Sequence, residues 1–181
     1  MDPLTILKKY YPPGTLAHHV LVTHSRMVAK KALRIAHRVR HLHPDEQFIQ
    51  EAAMLHDIGI FFTKEPQIGC FGDKEYLCHG FLGRELLEKE GLPKHALVCE
   101  RHVGAGITLE EIESRNLSLP IRDMAPVSLE EKLICFADKF FSKNPEYLRK
   151  EKPVELVRKG IARYGEEKLR IFDQWVKIFG A

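Results

Sequence analysis

The chain has 181 residues, of which 44% are hydrophobic and 29% are charged, and its formal net charge is +3. These values are typical of one soluble globular domain, and so small a charge gives no indication of a nucleic-acid partner. No apolar run approaches the ~20 residues of a membrane span, and a signal-peptide pattern is missing at the N-terminus. The 4 cysteines lack CxxC spacing, which favours reduced thiols in a cytoplasmic protein.

Helix-capping residues and a 3.6-residue hydrophobic period predict an all-α chain without strands. The expected helices lie at about 3–9, 15–41, 45–57, 77–90, 93–102, 108–116, 128–144, 153–164 and 166–179. Residues 58–76 lack a sustained period, which predicts a loop, and a loop of this length beside a candidate site often forms a lid. The last two helices are expected to pack onto the preceding ones, within a single domain of residues 1–181.

The pair His56-Asp57 ends the third predicted helix on its apolar face. Ile49, Ala52, Ala53 and His56 fall at i, i+3, i+4 and i+7, so the imidazole is expected to point towards the core. Burying the Asp57 carboxylate is costly unless it has a partner, and a metal ion suits both groups. For the pair alone, a hydrogen-bonded core histidine beside a helix-terminal carboxylate is the alternative.

Four further helices each place an ionisable side chain on an apolar stripe. These side chains are His24, His79, His102 and Asp138. With His56 and Asp57 they are hard to satisfy by hydrogen bonds between pairs, whereas a metal-binding helical bundle accounts for the whole set. Imidazole and carboxylate ligands without thiolate suit iron, manganese, cobalt or zinc, and they do not indicate a structural zinc site.

The same residues resemble the signature of the HD-domain superfamily of metal-dependent phosphohydrolases. The superfamily pattern H…HD…D, with the two extra histidines of two-metal members, is matched in order by His24, His56-Asp57, His79, His102 and Asp138. Within the superfamily the chain looks most like the di-iron symmetrical diadenosine-tetraphosphate hydrolases. That likeness lies in residues 55–58, 101–104 and 129–138.

This resemblance implies an HD-domain helical bundle with a two-metal site in its core, at about residues 15–142. Asp57 is then expected to bridge the ions and to act in catalysis. The other ligands are expected to be His24, His56 and Asp138 for one ion, and His79 and His102 for the second. Iron is the favoured metal, with manganese, cobalt or zinc as alternatives. An Asp57 with no partner except metal predicts that Asp57→Asn is neutral or stabilising in the metal-free protein.

Two departures from the superfamily pattern affect the expected phosphate contacts. Many members have a lysine directly after His-Asp-x-Gly, where this chain has Ile60. The one-metal nucleotidase branch has a glutamate where this chain has Phe61, so that branch is rejected. Other cations must then bind phosphate. The candidates are Lys139 and Arg26 as catalytic residues and Lys64 and Arg101 as substrate-binding residues, with a solvated surface position as the alternative for each.

The predicted function is hydrolysis of a phosphate ester or anhydride by metal-activated water. The expected substrate is a nucleotide or dinucleoside polyphosphate, bound by a monomer or homodimer that has no nucleic-acid or membrane partner. HD-fold mixed-valent di-iron oxygenases resemble the same ligand set, and they are one alternative. A nucleotide-binding regulator that has lost turnover is the other.

Overall fold

Nine α-helices account for most of residues 1–180, the part of the chain described by this computed structural model. They are α1 (Pro3–Tyr10), α2 (Leu16–Arg38), α3 (Glu46–Leu55), α4 (His79–Lys89), α5 (Pro93–Arg101), α6 (Leu109–Ser114), α7 (Leu129–Asp138), α8 (Val154–Ala162) and α9 (Glu166–Phe179). The all-α prediction is confirmed. None of the helices in the described residues is long and apolar enough to cross a membrane.

Side-chain caps begin five of these helices where the sequence predicts them. The capping residues are Asp2, Thr15, Asp45, Thr108 and Ser128. At α6 the box is complete, because the Glu111 carboxylate also accepts from the Thr108 backbone N–H at 2.8 Å. At α7 only half of the predicted box forms. The Glu131 side chain instead accepts from the backbone N–H of Val127 and from Arg101.

The two C-terminal helices pack onto the bundle through aromatic side chains. Phe136 of α7 is fully buried, and its ring centroid lies 5.4 Å from that of Phe172 and 5.5 Å from that of Phe179, both on α9. Val157 and Ile161 of α8 are buried in the same cluster. Helix α7 is therefore held from outside by α8 and α9, while its C-terminal end reaches the interior.

The segment that was predicted as an irregular loop contains a small hairpin. Strands β1 (Lys64–Glu65) and β2 (Cys70–Phe71) pair antiparallel across a turn that ends at Gly69, whose φ is 81°. Glycine adopts this left-handed conformation without steric cost. The expectation of no strand is wrong here, because two-residue strands are too short to produce an alternating sequence pattern.

Candidate metal centre

All six predicted ligands meet in the interior, and five of them lie at or next to a helix end. His24 lies within α2, His56 and Asp57 follow α3, His79 begins α4, His102 follows α5, and Asp138 ends α7. His24, His56 and Asp57 are fully buried, and His79 and His102 are nearly so. The Asp138 side chain is 12% exposed, which leaves one side of the cluster accessible.

Asp57 lies between two groups of ligand atoms. Its Oδ2 is 3.1 Å from Nε2 of both His24 and His56. Its Oδ1 is 3.5 Å from Nε2 of His79 and 3.4 Å from Nε2 of His102. Asp138 Oδ1 completes the first group, 2.9 Å from His24 Nε2. Each group of donor atoms fits within 4.8 Å, with Asp57 in both, which is compatible with a dinuclear metal site.

Backbone carbonyls fix the orientation of three imidazoles. Nδ1 of His56 and of His102 lies 2.7 Å from the carbonyl oxygens of Ala53 and Cys99 respectively. Nδ1 of His79 is held in the same way by the Tyr76 carbonyl, at 2.5 Å. Because a carbonyl oxygen only accepts, Nδ1 carries the proton and the Nε2 lone pair of a neutral ring faces the cluster. This is the arrangement of metal-ligating histidines.

Buried polar atoms in the cluster lack ordinary partners. Within the described residues, His56 Nε2 and Asp57 Oδ1 make no hydrogen bond, whereas Asp57 Oδ2 is in ion-pair contact with Lys143 Nζ. Nε2 of His79 and Nε2 of His102 face each other at 3.1 Å. Unpaired buried acceptors are costly, and a bound cation relieves several at once. The donor set therefore fits metal ions.

The pKa shifts describe the charges of this cluster without metal. Burial lowers the pKa of His79 to about 3 and also lowers that of His102, so both rings are neutral. Burial acts in the same direction on His56, but the Asp57 charge outweighs it and raises the pKa of His56 to about 9. Burial would raise the pKa of Asp57, yet His56 and Lys143 hold it well below its usual range.

Two lysines bring positive charge to the carboxylates. Lys143 Nζ lies 2.5 Å from Asp57 Oδ2, and Lys139 Nζ lies 2.8 Å from Asp138 Oδ2. Burial would lower the pKa of each ammonium group, but these carboxylates outweigh it and the pKa of both lysines is raised. Lys143 was missed by the sequence analysis. Its only sequence signal is its position five residues after Asp138.

A cavity of about 410 Å³ lies above the cluster. Its basic lining consists of Lys139, Lys143 and Lys152. All three lie in the segment between α7 and α8, so positive charge is supplied there rather than at Ile60.

The other three basic candidates lie elsewhere in the described structure. Arg26 is exposed and lines a surface groove beside the N-terminus, because two residues along a helix turn it about 200° away from His24. Lys64 is exposed on β1. Arg101 donates to both Glu131 oxygens, at 3.0 and 3.1 Å. None of these three residues is among the described lining residues of the metal cavity. Their positions therefore do not support the predicted roles in catalysis or substrate binding.

The segment predicted as a lid also lies mostly away from the cluster. Residues Phe61, Phe62 and 69–73 line a different cavity, next to Tyr10 and Tyr11. Within the described lining of the metal cavity, Tyr76 is the contribution of residues 58–76. The position of this segment therefore does not match a wall over the metals.

Buried thiols support the backbone of two ligand residues. Cys99 Sγ donates to the His56 carbonyl oxygen at 2.8 Å, and Cys135 Sγ donates to the His102 carbonyl oxygen at 3.3 Å. Burial raises the pKa of Cys135 to about 12, and it raises that of Cys99 further, so both thiols stay protonated. All four cysteines are free, as predicted.

Comparisons with known proteins assign the part of the chain that holds all six ligands to a protein family. The profile of the HD domain matches residues 21–142. An uncharacterized protein of Methanocaldococcus jannaschii is 35% identical over 136 residues, which cover 75% of this chain and 70% of that protein. No solved structure matches the chain.

Two other relatives carry the name tRNA (cytidine(56)-2'-O)-methyltransferase. The one from Picrophilus torridus is 34% identical over 127 residues, and the one from Thermoplasma volcanium is 29% identical over 127 residues. The match covers 70% of this chain but 33% of each relative. The chain thus spans about a third of the length of these two proteins.

Proposed function

Because this chain belongs to the HD-domain family, we propose that it is a metal-dependent phosphohydrolase that cleaves a phosphate ester or anhydride of a nucleotide. The observation that carries this proposal is the position of Asp57. One of its oxygens faces each group of ligand atoms, beneath a cavity lined by lysines. Family members are generally hydrolases, and a two-metal site of this composition suits attack of water on phosphorus.

Metal ions held there would polarise phosphate oxygens and lower the pKa of a bound water. The protein's own contribution is charge and orientation. Carbonyl-bound Nδ1 atoms hold the imidazole rings in place, and Lys139, Lys143 and Lys152 line the cavity that would receive the phosphate. Asp57 would be among the residues that hold the metal, and like charges repel, so the Lys143 ammonium group that now pairs with Asp57 would be available to a substrate phosphate.

The narrower resemblance to diadenosine-tetraphosphate hydrolases stays a proposal, since the relatives reported above carry other names. Oxygenase activity on the same ligands predicts oxygen consumption and a strict need for iron. A silent regulator predicts ligand binding without turnover. We propose a small phosphorylated substrate, a monomer or homodimer, and no nucleic-acid partner. The methyltransferase name is not transferred, since this chain matches about a third of those proteins.

The proposal predicts two metal ions per chain and phosphate release without oxygen. Elemental analysis after reconstitution with iron or manganese measures the first, and an anaerobic screen of nucleotides and dinucleoside polyphosphates measures the second. His79→Ala should lower the metal content to about one ion, because it removes a ligand from one group only. At most one ion in the reconstituted wild type, or turnover that requires oxygen, would contradict the proposal.

Lys143→Met should lower kcat/KM for phosphate release by about 10²-fold, because it removes a positively charged group from the phosphate cavity. Its metal content at saturating metal should stay at the wild-type value, since the lysine is not a ligand. The matched control is Lys150→Met, which alters an exposed lysine of the same segment. Equal rates for the two variants would remove Lys143 from the mechanism.

A further inference from the structure

A second, smaller cavity adjoins the metal cavity. Its volume is about 110 Å³, and four of its lining residues also line the metal cavity. These shared residues are Leu77, Val103, Gly104 and Tyr164. The two spaces are therefore adjacent, and we call the smaller one the side cavity.

The position of the side cavity relative to the metal ligands follows from the chain. Val103 and Gly104 directly follow His102, and Leu77 lies two residues before His79. Three of the four shared lining residues are therefore close in sequence to the two histidines of the second ligand group. Lys139, Lys143 and Lys152 line only the metal cavity. A molecule that occupies both spaces places its anionic part at the lysines and its other part against Leu77, Val103 and Gly104.

Most of the side cavity is apolar. Beyond the shared residues its apolar lining comes from Ala105, Ile107 and Leu117. An apolar cavity of ~150 Å³ binds benzene, and the side cavity is smaller, so it can take one edge of a planar ring while the rest of the ring lies against Tyr164. Hydroxyl groups of a sugar would lose their hydrogen bonds against these walls. The shape and lining therefore favour an aromatic ring.

Three charged residues, Glu111, Arg115 and Lys168, also line this space, and two of them form an ion pair. Lys168 is 5% exposed, and its Nζ lies 2.5 Å from Glu111 Oε2. The same carboxylate accepts from the Thr108 backbone N–H at 2.8 Å, so the α6 capping box holds it in place. The ammonium group has three protons and the carboxylate a second oxygen. The pair can thus offer a donor and an acceptor side by side.

We propose that the side cavity binds the base of a nucleotide whose phosphate occupies the metal cavity, an inference that rests on the proposed function. Apolar walls with a few fixed polar groups are the usual composition of such pockets. The base is a planar ring with donors and acceptors on its edge, which complements Glu111 and Lys168. Tyr164 is 60% exposed and lines both cavities, so its ring can stack on a bound base.

Isothermal titration calorimetry of the manganese-loaded protein with AMP and with inorganic phosphate tests this inference. Wild type should bind AMP at least ~10-fold more tightly than phosphate, the order expected for one stacked base. Tyr164→Ala removes the stacking ring, and Leu117→Phe fills the side cavity. Each should weaken AMP by about 10-fold and leave the phosphate affinity unchanged. Phe71→Ala, at a residue that is 81% exposed and outside both cavities, is the matched control and should change neither affinity.

Equal affinities of wild type for AMP and phosphate would overturn the base site. The base site would also be overturned if Tyr164→Ala weakened the binding of AMP and of phosphate equally. Tyr164 lies at the surface, so this variant is not expected to unfold. Failure of the proposed function has a different signature. A protein that prefers AMP but releases no phosphate from any substrate keeps the base site and loses the hydrolase proposal. A protein that hydrolyses tripolyphosphate and nucleotides at equal rates, with equal effects of Leu117→Phe on both, would support the hydrolase proposal and contradict the base site.

Discussion

Asp57→Asn should lower phosphate release by about 10³-fold or more while the protein stays folded. Each carboxylate oxygen of Asp57 faces one group of ligand atoms. Asparagine keeps the size, but it replaces one oxygen by an NH₂ group that cannot bind a cation, and it removes the negative charge. Phosphate-release rates at saturating metal, with circular dichroism to verify folding, measure the effect. A near-wild-type rate in the folded variant would end the two-metal proposal.

The same substitution also separates a metal ligand from a structural carboxylate. The sequence predicts no loss of stability in the metal-free protein, and the structure alters this expectation. Lys143 Nζ lies 2.5 Å from Asp57 Oδ2, and the lysine side chain is only 14% exposed. Asp57→Asn leaves this ammonium group without its nearest counter-charge, so it should cost on the order of 3 kcal/mol in chelator.

The double variant Asp57→Asn with Lys143→Met is the matched control for that cost. It removes both charges, so urea unfolding in chelator should show most of the lost stability restored. Phosphate release should remain as low as in Asp57→Asn, since the carboxylate is still missing. A purely structural Asp57 predicts a different result, in which the rate follows the folded fraction in every variant.

The ligands of the candidate site could be predicted from the sequence because helical periodicity fixes the direction of a side chain. His24 and His79 lie on apolar stripes that must face the core, and stripes from several helices meet in its centre. An ionisable group on such a stripe is therefore close to the others before any contact is known. The same reasoning predicted the helices themselves and their caps.

The cations could not be predicted from proximity in sequence. Arg26 is two residues from His24, yet it lies on another face of α2, and Arg101 is adjacent to His102 but pairs with Glu131. Lys143 follows the end of α7, where no helical period indicates the direction of a side chain. Residues 103–128 were interpreted as a short helix and a connection, although their tertiary packing forms much of the side cavity.

Gly59→Ala should destabilise the protein by about 3 kcal/mol and displace His79, because the turn after His56-Asp57 lies directly against α4. A Cβ at Gly59 would lie 2.0 Å from the His79 carbonyl oxygen and 2.4 Å from the Gly83 nitrogen. Both are backbone atoms, so the first turn of α4 has to move as a unit. Urea unfolding measures the stability, and elemental analysis should show weaker binding of the ion expected at His79 and His102.

Gly160→Ala is the control for replacing a glycine as such. Gly160 lies within α8, and an added Cβ would meet no atom within 4 Å, so the substitution should stabilise the protein by about 0.5–1 kcal/mol. Metal content should not change, because α8 carries none of the six ligands. The two substitutions should thus change the free energy of unfolding in opposite directions, because the new methyl group has different neighbours. A Gly59→Ala variant that unfolds at the same urea concentration as wild type and still binds two ions would show that the close packing of α4 on this turn does not position His79.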